Sequence, residues 1–330
     1  MDLAGRRVFV TGGAGFIGSH LVQELLLRYG CNVVCYDVLD DFYPGKEENV
    51  ALLSPQRNFH LVRGDILDYT KLRDAMKGAD IVLHEAGQAG IRYCNEKPLK
   101  ANRVNVDGTL NVLLAARENG IGEMVYASSS SIFGDPKYLP MDEDHPTRPN
   151  SPYGVSKLAG ELYCLAFGKV YGIKVACLRY FSVYGPRGRP DQVIYAFAER
   201  ISRGESPVIF GDGEQTRDFT FVSDAVDATI LAAEKVSQQA AGEVFNIGHG
   251  SKISMNDLAR MVIRGLGCEG RVSPIYQERS KGDFKDTEAN SAKAQRILGW
   301  KPRVALEDGL KRFLQWYGTS SMRTYESTAR

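Results

Sequence analysis

The chain lacks the features that would tie it to a membrane, a metal or a nucleic acid. Its 330 residues contain no unbroken apolar run of the ~18 residues that a bilayer-crossing helix needs, so no membrane partner is expected. An excess of one charge sign is missing too. The 41 Lys and Arg oppose 40 Asp and Glu, for a formal net charge of +1, which leaves no global field to recruit nucleic acid. Cysteine is sparse: Cys31, Cys35, Cys94, Cys164, Cys177 and Cys268 form no CxxC. Several lie in apolar runs, the pattern of reduced, buried thiols in a cytoplasmic protein. The 5 histidines show no metal-ligand spacing, so no metal site is expected. Residues 1–7 hold neither the apolar region nor the small-residue cleavage site of a secretory leader.

What is present is ordinary globular material, 43% hydrophobic and 25% charged, enough for a sizeable core. Short β-branched runs at 7–10, 32–36, 59–62, 81–84 and 123–127 alternate with helix-period segments at 17–29, 69–76 and 100–119. A helix at 152–171 and a strand at 174–178 continue the series. Strands separated by helices of that length imply right-handed crossovers and an α/β, doubly wound parallel sheet of the Rossmann type. After Tyr180 the texture shifts to Gly, Pro and Arg clusters, with helical patterns at 193–203, 223–235, 255–265 and 305–317. The expected organisation is a dinucleotide-binding domain at 1–180, a smaller α/β substrate lobe at 181–317 and a polar tail at 318–330. Some later segments, such as 223–248, are expected to cross back to the first domain.

The first strand runs into Thr11-Gly12-Gly13-Ala14-Gly15-Phe16-Ile17-Gly18 and then an amphipathic helix. Gly12, Gly15 and Gly18 allow a tight turn and close backbone approach to a pyrophosphate. Phe16 and Ile17 open the helix, whose free N–H groups and positive dipole end suit phosphate. Asp37 ends the second strand about 20 residues later, where a carboxylate meets the adenosine ribose hydroxyls. An acid there repels a 2′-phosphate, so the cofactor expected is NAD.

Tyr153 and Lys157, four apart on the helix 152–171, share one face. Tyr93 and Lys97 have the same spacing, but Pro98 follows them and a loop is expected there. Upstream of Tyr153, a parallel strand ends in Ser128-Ser129-Ser130-Ser131-Ile132-Phe133-Gly134. The carboxyl end of such a strand is where open α/β sheets hold ligands.

Taken together, these motifs resemble the extended short-chain dehydrogenase/reductase family, specifically its nucleotide-sugar epimerases and dehydratases. The resemblance runs from about 7 to 314 and includes the segments 179–189 and 211–219 and Leu298-Gly299-Trp300-Lys301-Pro302. It implies that Tyr153 is the general base, that Lys157 lowers its pKa and bonds the nicotinamide ribose, and that Ser129 holds the substrate hydroxyl. It further implies adenine contacts at Asp65 and Ile66, and a cofactor wall at Ala86, Asn105 and Tyr180. Glu85 departs from the family pattern, which has an apolar residue there. Arg217 becomes the candidate diphosphate ligand, with an ion pair to Asp218 as the structural alternative. Arg279 is a second candidate, beside Ser280 where relatives carry an arginine.

The resemblance also bears on the reaction. The family's dehydratases need an Asp-Glu pair after the hydroxyl residue, and its uronate decarboxylases a glutamate two positions on. Ser130 and Ser131 stand there in this chain, and neither is such an acid or base. The remaining chemistry is 4-epimerisation of a UDP-sugar through a transient 4-keto intermediate. The segments 180–191 and 88–93 resemble UDP-glucuronate 4-epimerases, which makes Arg189, Ser130, Ser131 and Ser182 the expected contacts to the sugar carboxylate. Interconversion of UDP-glucose and UDP-galactose is the alternative, and a catalytically silent NAD-binding scaffold another. The resemblance implies a homodimer, its helices 100–119 and 152–171 forming a four-helix bundle. Leu158, Leu162, Leu165 and Ala166 supply an apolar stripe for it.

Overall fold

A computed structural model describes residues 3–42, 44–279, 282 and 284–319. The expected polar tail lies outside the described residues from 320 onward. The first half runs β1 (Arg7–Thr11), α1 (Phe16–Leu27), β2 (Asn32–Asp37), α2 (Lys46–Ala51), β3 (Phe59–Arg63), α3 (Tyr69–Ala75) and β4 (Ile81–His84). It continues through α4 (Ile91–Glu96), α5 (Pro98–Asn102), a π-helical turn (Arg103–Asp107), α6 (Gly108–Glu118) and β5 (Glu123–Ser129). A 3₁₀ turn (Ser130–Ile132), α7 (Pro152–Tyr171) and β6 (Lys174–Tyr180) close this half.

The second half is more broken. It holds β7 (Val183–Tyr184), α8 (Val193–Ser202), β8 (Val208–Phe210), β9 (Thr216–Asp218), β10 (Thr220–Phe221), α9 (Val222–Lys235) and β11 (Val244–Ile247). The last elements are β12 (Lys252–Ser254), α10 (Met255–Gly265), β13 (Ile275–Gln277), α11 (Ala292–Leu298) and α12 (Leu306–Thr319). No helix among the described residues is long and apolar enough to cross a membrane.

Seven strands form one parallel sheet in the order β11-β6-β5-β4-β1-β2-β3. The order turns back between β1 and β4, so the helices that follow these two strands lie on opposite faces. They leave a crevice above the strands' carboxyl ends. Both faces are covered, which is why the strands read as near-continuous apolar runs. Val8, Val10, Val33, Leu83 and Val125 enter the core shared with α1 and α9, whereas Phe9, Val34, Tyr36, Val82 and Tyr126 enter the core under α6 and α7. That alternation is the period-2 pleat read along each strand.

Local chemistry sets the element ends. Ser151 accepts a bond from Gly154 N at 3.2 Å, Pro152 fills the first turn, and Gly172 ends α7 in the left-handed conformation. The expected helix 100–119 is in fact three pieces, α5, the π-helical turn and α6. The extra residue of the π turn is a local backbone rearrangement that helical periodicity cannot reveal. The expected loop at 91–97 is also corrected. Tyr93 lies on α4, and Lys97 is the end residue of that helix.

Candidate active site

The glycine turn connects β1 to α1. Gly12 has φ +68°, and a Cβ there would sit 2.6 Å from Ala86 N. A Cβ on Gly18 would lie 2.1 Å from Gly12 O, so the turn and the helix are packed at a distance only glycine permits. Gly15 caps α1 without any side-chain bond, which leaves the first-turn N–H groups available to an anion. Asp37 is 5% exposed; its carboxylate accepts from Ala14 N at 3.1 Å and Leu39 N at 2.9 Å. Burial pushes its pKa up, while Lys46 at 3.9 Å and the two N–H groups oppose the rise. Lys46 itself is held by Asp40. A bare helix N-terminus beside an acid at the end of β2 fits a pyrophosphate and a ribose diol, the two polar ends of an adenosine diphosphate. Beyond β3, Asp65 O accepts from Tyr36 OH at 2.9 Å, and Ile66 packs against Gly108.

The other side of the crevice is built from β4, the π-helical turn and α7. Ala86 N donates to Thr11 Oγ1 at 3.3 Å. Asn105, on the π turn, is 1% exposed and uses its whole amide. Its Oδ1 accepts from Gln88 N at 2.7 Å, and its Nδ2 donates to Gln88 O at 3.0 Å and Ser156 Oγ at 2.9 Å. Asn105 thus straps the loop after β4 to α7. Lys157, one residue on from Ser156, is buried, with Nζ 4.6 Å from the centre of the Tyr126 ring. Burial brings its pKa down to about 8.

Ser129 lies close enough to Tyr153 to favour its ionised form, and Ser129 Oγ accepts from Ser131 N at 3.1 Å. The expected lowering of the Tyr153 pKa is not a property of the protein alone. Desolvation raises it and outweighs the opposing effects of Ser129 and Arg189. Tyr93 and Lys97, the rival pair, face elsewhere. Tyr93 stacks edge-on against Phe42 at 5.0 Å, and Lys97 is exposed.

Below the serines lies a buried ion pair that the sequence reading missed. Arg179 on β6 binds Glu161 on α7 at 2.7 and 3.1 Å. Ser128 donates to the same carboxylate at 2.6 Å. This pair ties β5, β6 and α7 together directly under Ser129 and Tyr153. Its signal was only an acid and a base in apolar runs, with nothing to join them across the sheet.

The other expected contacts have partners of their own. Tyr180 reaches from the end of β6 to the segment after β4. Its hydroxyl donates inward to Glu85 Oε1 at 2.9 Å and lies 2.6 Å from Thr229 Oγ1 on α9. The pleat decides this, because the side chain stands on the α9 face of β6. Arg189 grips Asp191 with two bonds, at 2.9 and 3.2 Å, and its charge reaches Tyr153. Ser130 and Ser131 are buried beside Ser129, and Ser182 has φ +24°. The Asp218 carboxylate accepts from the N–H groups of His249, Gly250 and Ala289. Arg217 donates to the carbonyls of Thr216, Phe284 and Lys285 at 2.7–3.3 Å. Arg279 is exposed near Gly211, and Ser280 lies outside the described residues. No cluster of His, Cys, Asp and Glu among the described residues could hold a metal ion.

Comparison with known proteins agrees with this geometry. Residues 8–248 match the model of the NAD dependent epimerase/dehydratase family. The chain belongs to that family. It is an NAD-dependent enzyme with the Rossmann-like sheet of its relatives. It is 38% identical over 316 residues to a putative UDP-glucose 4-epimerase of Methanocaldococcus jannaschii, covering 94% of this chain and 97% of the relative. A UDP-glucuronate 4-epimerase of Thermodesulfobacterium geofontis is 36% identical over 313 residues, with 93% and 94% covered. The crystal structure of UDP-glucuronic acid 4-epimerase from Bacillus cereus, in complex with UDP-glucuronic acid and NAD, superposes with a TM-score of 0.89. It is 34% identical and covers 94% of this chain and 99% of that one.

Proposed function

We propose that the chain is a UDP-sugar 4-epimerase and that its substrate is UDP-glucuronate, converted to UDP-galacturonate. The observation that carries the reading is the approach of Ser129, at the carboxyl end of β5, to Tyr153, one turn of α7 before buried Lys157. It is joined to hydroxyls, not acids, at Ser130 and Ser131. Bound NAD⁺ would accept the hydride from C4 of the sugar and return it to the opposite face. Tyr153 would take the proton of the 4-hydroxyl, and Ser129 would hold that oxygen in line. Lys157 would bond the nicotinamide ribose, and Asn105 would keep the 88 loop docked against α7. The positive charge of the oxidised ring lowers the phenol pKa that burial raises. After the 4-keto sugar turns, Tyr153 would give the same proton back, so the cycle consumes nothing.

The preference for a uronate rests on Arg189, whose charge is felt at Tyr153 and therefore near C4. A sugar carboxylate would take over the guanidinium fork that Asp191 now occupies. Ser130, Ser131 and Ser182 would supply further donors, and Arg217 and Arg279 would face the diphosphate. The Asp191 pairing also supports a second reading, a neutral hexose substrate, because it leaves Arg189 satisfied without any sugar carboxylate. A panel of UDP-glucuronate, UDP-glucose and UDP-N-acetylglucosamine, with chromatography of the products, decides between them. Turnover of UDP-glucuronate alone supports the uronate; turnover confined to UDP-glucose overturns it. No turnover of any of the three would favour the silent scaffold. We also propose that the working form is a homodimer built on α5, α6 and α7.

A further inference from the structure

The segment 85–87 bridges the two ends of the cofactor site. At one end, a Cβ on Gly12 would lie 2.6 Å from Ala86 N and 2.9 Å from the carbonyl carbon of Glu85. At the other, a Cβ on Gly87 would lie 3.6 Å from Lys157 Nζ. A dinucleotide that runs from the glycine turn to Lys157 therefore crosses this segment with its nicotinamide half. Glu85 stands within it, an acid directly after the apolar strand β4.

The carboxylate is not a solvated surface charge. Tyr180 OH donates to Glu85 Oε1 at 2.9 Å and lies 2.6 Å from Thr229 Oγ1, which in turn donates to Ala225 O at 2.9 Å. This chain of hydroxyls accommodates both forms of the acid. When Glu85 is ionised, Tyr180 gives it a hydrogen bond. When Glu85 is protonated, it donates to Tyr180, Tyr180 donates to Thr229, and Thr229 keeps its bond to the carbonyl. The protonated form fills all three contacts, whereas in the ionised form Thr229 must choose between Tyr180 and Ala225 O.

We propose that Glu85 is a positioning residue for the nicotinamide end of NAD, and that its carboxylate, fixed by Tyr180, sets how much more tightly the protein holds NAD⁺ than NADH. A negative charge close to Lys157 and to this stretch of the dinucleotide's path favours the cationic, oxidised form and leaves the neutral, reduced form unaided. In a cycle that hands its hydride back, stabilising the oxidised form favours return of the hydride from bound NADH to the 4-keto sugar. The proposal rests on the NAD assignment and not on the identity of the sugar.

Glu85 can switch its charge in the working range. Burial pushes its pKa up to about 7, against the hydrogen bond from Tyr180 and the positive charge of Lys157. These are the titratable groups that face it, from β6 and α7. On α9 it meets the uncharged Thr229 through Tyr180, and its own N–H donates to Thr11 O of β1 at 3.2 Å. Neighbouring His84, with its pKa pushed down to about 3, stays neutral between the hydroxyls of Thr11 and Thr109. Lys157, whose pKa burial brings down to about 8 against the pull of the Glu85 charge, is linked to it.

The test is the ratio of NADH to NAD⁺ affinity in the full-length protein stripped of cofactor, by fluorescence of bound NADH and competition with NAD⁺. In Glu85→Gln the ratio should shift toward NADH by on the order of 10-fold at about pH 8, the effect of one charge removed from a partly buried site. At about pH 6, where Glu85 is already protonated, variant and wild type should agree. Lys157 titrates lower once the Glu85 charge is gone, and losing that cation favours NAD⁺, so it can only shrink the expected shift toward NADH. Glu85→Leu, which restores an apolar residue, should show the same shift and serves if the glutamine variant does not fold. An unchanged ratio at the higher pH, or an equal change at both, overturns the proposal. Failure of the protein to bind either nucleotide would instead overturn the cofactor assignment, whatever sugar it turns over.

Discussion

At the scale of single residues, Tyr153 and Arg189 carry distinct expectations. Tyr153→Phe removes the α7 hydroxyl that lies near Ser129, so turnover should fall by about 10²-fold or more. NAD content should hold, because the glycine turn and Asp37 are untouched. Tyr93→Phe, on the face of α4 turned toward Phe42, should cost far less. Equal damage from the two would reverse the choice of catalytic tyrosine. Arg189→Ala should weaken the handling of UDP-glucuronate by roughly 10- to 100-fold, the scale of one charge-assisted bond, and spare UDP-glucose. Arg189→Lys should restore only part, since lysine lacks the planar fork. Equal losses on both sugars would place Arg189 on the diphosphate. The side chain is already paired with Asp191, so Asp191→Asn should ease uronate binding if the carboxylate must displace it.

At the scale of elements, the glycine turn and the ion pair beneath the serines are the sensitive joints. Gly12→Ala would impose a left-handed conformation on alanine, costing about 1–2 kcal/mol, and would drive its Cβ into the 85–86 peptide. The purified variant should release markedly less NAD on denaturation than the parent; undiminished recovery would remove the glycine turn from the cofactor site. Arg179→Met would leave Glu161 buried and unpaired, and should destabilise by about 3–5 kcal/mol in denaturant unfolding. Loss below ~1 kcal/mol would show that water or Ser128 satisfies Glu161 instead. The legibility of these elements in the sequence follows their physics. Strands buried on both faces and helices with Ser151, Pro152 and Gly172 at their ends announce themselves by pattern and cap. The π turn at Asn105 does not, because it rearranges hydrogen bonds without changing the apolar rhythm. The inward turn of Tyr180 and the Glu161–Arg179 pair were equally hidden. Each depends on which face of a strand meets which helix, a contact between segments far apart in the chain.

At the scale of the whole molecule, the apolar stripe expected on α7 divides in two. Leu158 packs against the cluster around Phe133 and Phe181, and Leu165 against the core under the sheet. Leu162 faces outward, and with it Val155, Tyr163 and Val170, which are 40–69% exposed. At about 100° per residue these four and the exposed Ala166 span an arc of roughly 100°. Leu99 on α5, 80% exposed, and Tyr171 at the end of α7, 48% exposed, extend the apolar surface. Scattered apolar residues need no explanation, but a continuous helix face of this kind marks a contact surface. A second copy meeting it about a two-fold axis would pair α7 with α7 and bring α6 alongside, the isologous arrangement most homodimers use. Light scattering at micromolar concentration should give twice the mass of the 36.5 kDa chain. Leu162→Glu would place a carboxylate in the middle of that contact, next to its own symmetry mate, and should shift the population to monomer. Its side chain is outside both cores, so the monomer should remain folded by circular dichroism. A wild-type monomer would reject the dimer outright, and an undissociated Leu162→Glu dimer would move the interface to another face.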